Sequence, residues 1–126
     1  MPIANASLDF SLPSLDGKQF VRLSEQKRPV LVSFFSQDCP PCVAELPLLI
    51  AFAKAQPTWQ VILVSTDSMA MNRAFFTRYP VPFLLLRAPV SAQGLLRRFG
   101  NSLAVLPFNV AFNREGQCAS QLGVLS

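Results

Sequence analysis

The sequence predicts one α/β domain in which helices flank a central mixed β-sheet, with a β-hairpin at the N-terminus. One observation is the alternation of short apolar segments of strand type with segments of helical periodicity, because strands separated by helices pair in parallel. Another is size and composition. The 126 residues, 51% hydrophobic and 14% charged, suffice for one core and predict a single domain over 1–126.

The N-terminal part of the chain predicts a hairpin, a buried strand and a helix. The segment SLPSLDGKQFVRLSE (11–25) places the turn residues Asp16 and Gly17 between two short strands. The run VLVSFF (30–35) is continuously apolar, as in a strand buried on both faces of a parallel sheet. From 41 to 56 the apolar residues recur at intervals of three and four, which predicts a helix.

Four further elements are predicted before the C-terminal segment: a strand at 60–65, a helix at 69–79, a strand at 83–86 and a helix at 91–99. Asp67 or Ser68 can cap the first of these helices. The segment FNVAFNREGQCASQLG (108–123) predicts two strands around a turn at 113–116. This final hairpin adds antiparallel strands to the sheet.

Charge and hydropathy exclude several classes of function. The net charge is +4, but there is no basic run with interleaved aromatic residues, so we expect a mildly basic surface and no nucleic-acid binding. The longest apolar stretches, at 46–53 and 81–86, are far shorter than the roughly 20 residues of a membrane span, so no integral membrane segment is expected. The start, MPIANASLDF, lacks the features of a signal peptide. We therefore expect either a cytosolic protein or a mature domain without its targeting segment, in both cases a monomer.

The candidate chemistry lies in SFFSQDCPPCVAELP (33–47), where Cys39 and Cys42 stand between the first buried strand and a helix. Cysteines three residues apart on a first helical turn have a Cα separation that suits a disulfide. The first of them faces the unpaired N–H groups and the positive dipole end of the helix, which favour a thiolate. This geometry makes Cys39 the exposed nucleophile and Cys42 the more buried resolving cysteine.

Other interpretations of the pair are weaker. A structural zinc site needs four ligands, and the chain has three cysteines and no histidine, so neither a metal nor another cofactor is expected. A disulfide that closes so short a loop constrains the unfolded chain little. A Cu(I) site stays open as an alternative, because soft thiolates bind copper. The third cysteine, Cys118, is interpreted as a small buried apolar residue.

The apolar strand, the C-x-x-C motif and Pro47, five residues after the second cysteine, resemble the thioredoxin superfamily. The segment AVLPFNVAFNREGQC (104–118) looks like the cis-proline loop and closing hairpin of that superfamily. Within it, the chain is most similar to the TlpA/ResA-type periplasmic thiol–disulfide oxidoreductases. That similarity lies in LDGKQFVRLSE (15–25), in Glu45 and in the extra segment at 75–100.

The resemblance implies a thioredoxin-like fold and an enzyme that exchanges electrons with protein thiols and disulfides and with an upstream redox donor. It also implies a periplasmic or other extracytoplasmic location, with cytochrome c biogenesis among the possible pathways. Glu45 would help to move protons near the cysteines, although a Glu in the first turns of a helix is also common as a surface residue. A cis bond before Pro107 and backbone hydrogen bonds from Leu106 to a substrate strand are implied as well.

The chain departs from these relatives at Asp38, where they usually carry Trp, and it stops at GVLS, where most continue into a last helix. Pro40 and Pro41 have no N–H to donate to the Cys39 sulfur. We expect the prolines to shield the Asp38 carboxylate partly from water, so that its negative charge opposes formation of the Cys39 thiolate. A less stabilised thiolate makes a stronger reductant, so a disulfide reductase is predicted. The predicted substrate contacts are made by Asp38, Pro40 and Pro41 together with Leu106 and Pro107.

Two other functions stay open on the sequence alone. One is a binding module of this fold, either copper-binding or redox-inert. The other is a peroxiredoxin, whose motif fits Ser36 and Cys39 but requires a proline where Val32 stands.

Overall fold

The computed structural model describes residues 3–4, 11–26, 28–88, 106, 108–112 and 118–122. Its helices are α1 (Pro40–Ala55) and α2 (Met69–Arg78), with a short 3-10 helix at Leu23–Glu25. Its strands are β1 (Ile3–Ala4), β2 (Ser11–Pro13), β3 (Phe20–Arg22), β4 (Val30–Phe35), β5 (Gln60–Ser65), β6 (Leu84–Arg87), β7 (Phe108–Phe112) and β8 (Cys118–Leu122).

Six of these strands form a mixed sheet in the order β1-β8-β7-β4-β5-β6. The centre follows the predicted pattern, because β4, β5 and β6 are parallel and are joined by α1 and α2. The C-terminal hairpin adds β7 antiparallel to β4 and β8 antiparallel to β7. The predicted fold class, a thioredoxin-like α/β domain with a mixed sheet, is confirmed.

The N-terminal hairpin pairs β2 with β3 as a separate two-stranded sheet. Gly17 lies in its turn with φ +73°, a conformation that only glycine adopts without strain. The hairpin lies against the edge of the main sheet, where Ser14 forms a bridge with Leu86 and the Leu15 N–H donates to the Leu85 carbonyl at 3.3 Å. It therefore pairs locally with the edge strand β6.

Most predicted boundaries agree with the structure, and the differences are small. Strands β4 and β5 have the predicted bounds, whereas β6 is shifted by one residue and α1 begins at Pro40 rather than at 41. Proline suits the first position of a helix because its missing N–H would have no partner there. Strand β1 was not predicted, since two residues show no periodicity. The predicted helix at 91–99 and the turn at 113–116 lie outside the described residues.

Side chains alternate across the sheet and form two core clusters. On one face, which we call the hairpin face, the strands pack against Leu12 and Leu23 of the N-terminal hairpin region. On the other, the helix face, they pack against α1 and α2. The hairpin-face cluster takes from the strands Val30, Val32, Phe34, Ile62, Val64, Leu86, Phe108, Val110 and Phe112. No helix within the described residues has both the length and the apolar character needed to cross a membrane.

Candidate active site at the Cys39–Cys42 pair

The cysteine pair lies at the start of α1, just beyond the carboxyl end of β4. Cys39 and Cys42 form a disulfide with a Cα–Cα distance of 5.2 Å. Cys39 is the N-cap residue, and its Sγ accepts a hydrogen bond from the Cys42 N–H at 3.3 Å. Cys39 is half-buried, whereas Cys42 is only 2% exposed. The more accessible cysteine therefore lies at the positive end of the helix.

The two prolines between the cysteines decide which donors the sulfur meets. Pro40 and Pro41 occupy the first two helical positions and are exposed. Because proline has no N–H, the first backbone donor in α1 is that of Cys42. The same N–H also approaches the Cys39 carbonyl at 2.9 Å, so its bond to the sulfur is shared. The helix start offers the sulfur less hydrogen bonding than a sequence without prolines would.

Asp38 is exposed, and its backbone N–H donates to the Ser36 hydroxyl at 3.2 Å. The expectation that the prolines shield its carboxylate from water is wrong, because Asp38 is itself exposed beside them. Solvent around an exposed charge weakens its effect on a neighbouring group. The electrostatic influence of Asp38 on Cys39 is therefore smaller than the sequence suggests.

Glu45 lies one helical turn after Cys42 and is 1% exposed, so the alternative of a surface residue is wrong. Its Oε1 accepts a hydrogen bond from the Ser33 hydroxyl at 3.1 Å, and its Oε2 accepts one from Asn109 Nδ2 at 3.3 Å. Ser33 and Asn109 are direct neighbours across β4 and β7. A carboxyl group from α1 is thus held against the helix face of the sheet by two strands.

Sequence reasoning missed both partners of Glu45. Ser33 interrupts the apolar run VLVSFF, and Asn109 interrupts FNVAF. A polar residue inside a buried strand needs a hydrogen-bond partner in the core, so each interruption was a usable indication of a buried polar contact. What the sequence could not show is that both contacts involve the same carboxyl group.

The start of β7 lies at the same end of the sheet as the cysteines. Phe108, the first residue of β7, pairs with Phe34 near the carboxyl end of β4, since the two strands are antiparallel. Leu106 is half-buried and packs against the clusters on both faces. Pro107 lies outside the described residues, so its predicted cis bond stays a prediction, as does substrate binding by this segment.

The described residues contain no cluster of metal-ligating groups, and one groove lies apart from the cysteines. In that part of the chain, no three His, Cys, Asp or Glu side chains lie close enough together to hold an ion. A groove of about 580 Å³ is lined by Leu31, Leu48, Ala51, Phe52, Ala55, Trp59 and Ala111. It lies along the C-terminal half of α1, away from the disulfide, and its lining side chains are apolar or aromatic.

The cysteine at the helix N-cap and the buried cysteine one turn later, just beyond the end of a parallel strand, form a disulfide-capable C-x-x-C pair on a thioredoxin-like sheet. The protein is a thiol–disulfide oxidoreductase. The model of the AhpC/TSA family matches residues 3–126, and the chain belongs to this family.

Solved structures agree with this class. MTB DsbF, solved in its mixed oxidized and reduced forms, is 25% identical in sequence to this chain. Its structure has a TM-score of 0.81, and the match covers 98% of this chain and 90% of that one. A putative thioredoxin from Neisseria meningitidis is 28% identical, with a TM-score of 0.76 over 94% of this chain and 79% of that one. A putative thiol:disulfide interchange protein DsbE from Chlorobium tepidum is 24% identical, with a TM-score of 0.79 over 99% of this chain and 88% of that one. No curated protein has a significant sequence match.

Proposed function

We propose that the protein reduces disulfides in other proteins, with Cys39 as the attacking thiolate and Cys42 as the resolving thiol. The observation that carries the proposal is the N-cap position of Cys39, a half-buried residue whose sulfur accepts the Cys42 N–H while Cys42 itself is buried. The helix dipole favours a thiolate at this position. An attacking sulfur must also be reachable by a protein substrate, which a buried sulfur is not.

The exchange takes place in two steps. The Cys39 thiolate attacks one sulfur of the substrate disulfide, which forms a mixed disulfide and releases the other substrate sulfur as a thiolate. The Cys42 thiolate then attacks Cys39 Sγ, which forms the Cys39–Cys42 disulfide and releases the second substrate thiolate. Two electrons pass from the dithiol to the substrate. An upstream dithiol protein must return them before the next cycle.

Glu45 is the proposed proton acceptor for Cys42. The two residues lie one turn apart in α1, and both are buried on the helix face. Cys42 must lose its proton before it attacks, and a buried thiol has little water to accept that proton. The hydrogen bonds from Ser33 and Asn109 hold both carboxyl oxygens of Glu45 in place.

The direction of electron flow is inferred from what the sulfur lacks. Pro40 and Pro41 remove two backbone donors from the helix start, and the chain contains no histidine that could stabilise the thiolate. A weakly stabilised thiolate destabilises the reduced form and makes the dithiol a stronger reductant. We therefore propose the reducing direction.

The proposed substrate-contacting surface is formed by the exposed residues Asp38, Pro40 and Pro41 on one side. Leu106 precedes β7 at the same end of the sheet, and we propose that it forms the other side together with Pro107. Thiol proteins in an extracytoplasmic compartment are the proposed partners. A secreted disulfide oxidoreductase from Mycobacterium tuberculosis and a pneumococcal exposed lipoprotein thioredoxin have similar folds, and the location of those two proteins supports the proposed compartment. We propose that the protein acts as a monomer.

The first experiment traps the intermediate. Cys42→Ser is expected to accumulate a mixed disulfide between Cys39 and a reducible protein substrate, because the resolving thiol is gone. Cys39→Ser, the matched control, is expected to form none. Non-reducing electrophoresis and peptide mass spectrometry identify the bonded cysteine. Faster alkylation of Cys42 than of Cys39 in the reduced wild type would contradict the assigned roles.

The second experiment tests direction by equilibrating the protein with glutathione buffers. We expect a reduction potential near that of thioredoxin, about −270 mV, and a value as oxidising as protein disulfide isomerase, about −180 mV, would reject the reductase proposal. Consumption of peroxide by the reduced protein, assayed beside Cys39→Ser, tests the peroxiredoxin alternative.

A further inference from the structure

Asp67, in the loop after β5, reaches across to the loop that precedes the nucleophile. We call residues 36–38 the pre-cysteine loop. Asp67 Oδ1 accepts a hydrogen bond from the Ser36 hydroxyl at 2.8 Å, and Oδ2 accepts one from the Gln37 N–H at 2.8 Å. The Ser36 hydroxyl in turn accepts the Asp38 N–H at 3.2 Å. One carboxylate therefore holds all three residues of the loop, two directly and one through Ser36.

The loop also fixes Cys39 itself. The Cys39 N–H donates to the Ser36 carbonyl at 3.1 Å. Ser36 is thus bonded through its side chain to Asp67 and through its main chain to the residue that carries the attacking sulfur. A displacement of Ser36 would displace Cys39 from the N-cap.

Asp67 is itself held in place by a buried group. Its N–H donates to the Ser65 hydroxyl at 3.1 Å, and its carbonyl accepts a hydrogen bond from Asn72 Nδ2 at 3.2 Å. Asn72, in α2, is 1% exposed and also accepts a hydrogen bond from the Ser65 hydroxyl. The main chain of Asp67 is therefore anchored in the core, and its side chain extends from that anchor to the pre-cysteine loop.

The sequence offered Asp67 or Ser68 as the cap of α2. The structure assigns the cap to Ser68, whose hydroxyl accepts the Met71 N–H at 3.2 Å. The expectation for Asp67 is wrong, because its carboxylate points to a different element with two donors of its own. Capping therefore gives no reason for an aspartate at this position.

We propose that Asp67 is a positioning residue for thiol–disulfide exchange, which keeps Cys39 at the helix N-cap when the disulfide is reduced. In the oxidised protein the covalent bond to Cys42 already fixes the Cys39 sulfur. In the reduced protein that tether is absent, so the pre-cysteine loop, through its bonds to Asp67, adds to the restraint that the helix N–H groups place on Cys39. The inference rests on the proposed role of Cys39 as the attacking thiolate.

Two effects of the Asp67 carboxylate must be separated by the choice of variants. Asp67→Ala removes both hydrogen bonds and the negative charge. Asp67→Asn removes the charge but can keep both contacts, because its carbonyl oxygen can accept the Gln37 N–H while its NH₂ group donates to the Ser36 hydroxyl. The difference between the Ala and Asn variants therefore reports positioning alone.

The test is the rate at which Cys39 is alkylated in the reduced protein at neutral pH, followed by peptide mass spectrometry. An intramolecular hydrogen bond contributes on average a factor of about five to the equilibrium between two conformations. We therefore expect Cys39 in Asp67→Ala to react about five- to tenfold more slowly than in Asp67→Asn. In glutathione buffers, the Ala variant should also favour the disulfide more than the Asn variant does, since the loss of positioning weakens the reduced form, which has no disulfide tether, more than the oxidised form.

Asp16→Ala is a matched control. Asp16 also accepts hydrogen bonds from a serine hydroxyl and a backbone N–H, those of Ser14 and Lys18, but it lies in the N-terminal hairpin. Its alkylation rate should equal that of the wild type. If Asp67→Ala does not fold, Ser36→Ala replaces it, since this neutral change removes the hydroxyl that links Asp67 to Asp38 and should slow alkylation in the same direction.

Equal Cys39 alkylation rates in Asp67→Ala and Asp67→Asn would overturn the proposal, as would an equal slowing in Asp16→Ala. Failure of the proposed function looks different. Faster alkylation of Cys42 than of Cys39 in the wild type would reassign the nucleophile, whatever the Asp67 variants do.

Discussion

The two faces of the central sheet differ in one respect that concerns the site. On the hairpin face, every buried residue contributed by β4, β5 and β7 is apolar. On the helix face, each of these strands carries one buried polar residue: Ser33, Ser65 and Asn109. Each polar side chain bonds to a group near the cysteines: Ser33 and Asn109 to Glu45, and Ser65 to the main chain of Asp67.

This difference shows how one sheet serves two purposes. Apolar packing on the hairpin face stabilises the fold without fixing any polar group. The polar residues of the helix face add less to the hydrophobic term, but their directional bonds hold a helix and a loop in defined positions. Substitutions on the first face should therefore change stability, and substitutions on the second should change exchange chemistry.

The largest effect on stability is expected for Phe34→Ala on the hairpin face. Phe34 is fully buried, with its ring centroid 5.9 Å from that of Phe108. Removing a buried phenylalanine ring should lower the free energy of unfolding by about 3–5 kcal/mol. Urea unfolding measures this change. Phe20→Ala, at a residue 71% exposed, is the control and should change stability little. A loss below about 1 kcal/mol in Phe34→Ala would mean that the hairpin face is loosely packed.

On the helix face, Glu45→Gln should slow the second step of exchange more than it changes stability. The variant keeps the size of the side chain but loses the carboxylate that is proposed to accept the Cys42 proton. We expect resolution of a preformed mixed disulfide to slow by about 10²-fold, the lower end for loss of a general base.

Ser33→Ala is the control for Glu45→Gln. It removes one hydrogen bond to Glu45 and leaves the carboxylate in place. Stopped-flow release of the substrate thiol measures both variants. Resolution in Glu45→Gln at the rate of Ser33→Ala would show that Glu45 is a structural group only.

A smaller effect is expected at Asp38, which lies outside both faces. Asp38→Asn removes a negative charge next to Cys39, so the pKa of the Cys39 thiol should fall and the disulfide should become slightly more oxidising. Because Asp38 is exposed, the change in thiolate fraction should be less than about fivefold. Thiolate absorbance against pH measures it. An unchanged or raised pKa would mean that the carboxylate points away from the sulfur.

The smallest effect concerns the acid stability of the N-terminal hairpin. The hydrogen bond from the Ser14 hydroxyl, and to a smaller extent the one from the Lys18 N–H, holds the pKa of Asp16 below its ordinary value of 3.8. Its contribution to stability is therefore complete above pH 3.8 and is lost as the pH falls through the lower value of the folded protein. Asp16→Asn should remove this small acid-dependent loss. Urea midpoints at neutral pH and below pH 3.8 provide the comparison, and identical pH dependence in both proteins would contradict it.

The sequence by itself determined the features that depend on neighbours along the chain. Continuous apolar runs located β4 and β5, because a strand between two covered faces needs apolar residues on both sides. The spacing of Cys39 and Cys42 was enough to predict that one helical turn brings the sulfurs together, since contacts at i and i+3 follow from helix geometry alone.

Only the tertiary structure decided which polar groups meet. Asn109 is 64 residues from Glu45 in the chain, and its contact depends on β7 pairing antiparallel to β4 in one register. Asp67 and Ser68 are equally good caps by local rules, and the choice fell to Ser68 because the pre-cysteine loop, 30 residues earlier, presents two donors to the Asp67 carboxylate. Such contacts depend on which strands are neighbours and in which register they pair. A one-residue change in the register of β7 would turn the Asn109 side chain to the opposite face of the sheet, away from Glu45.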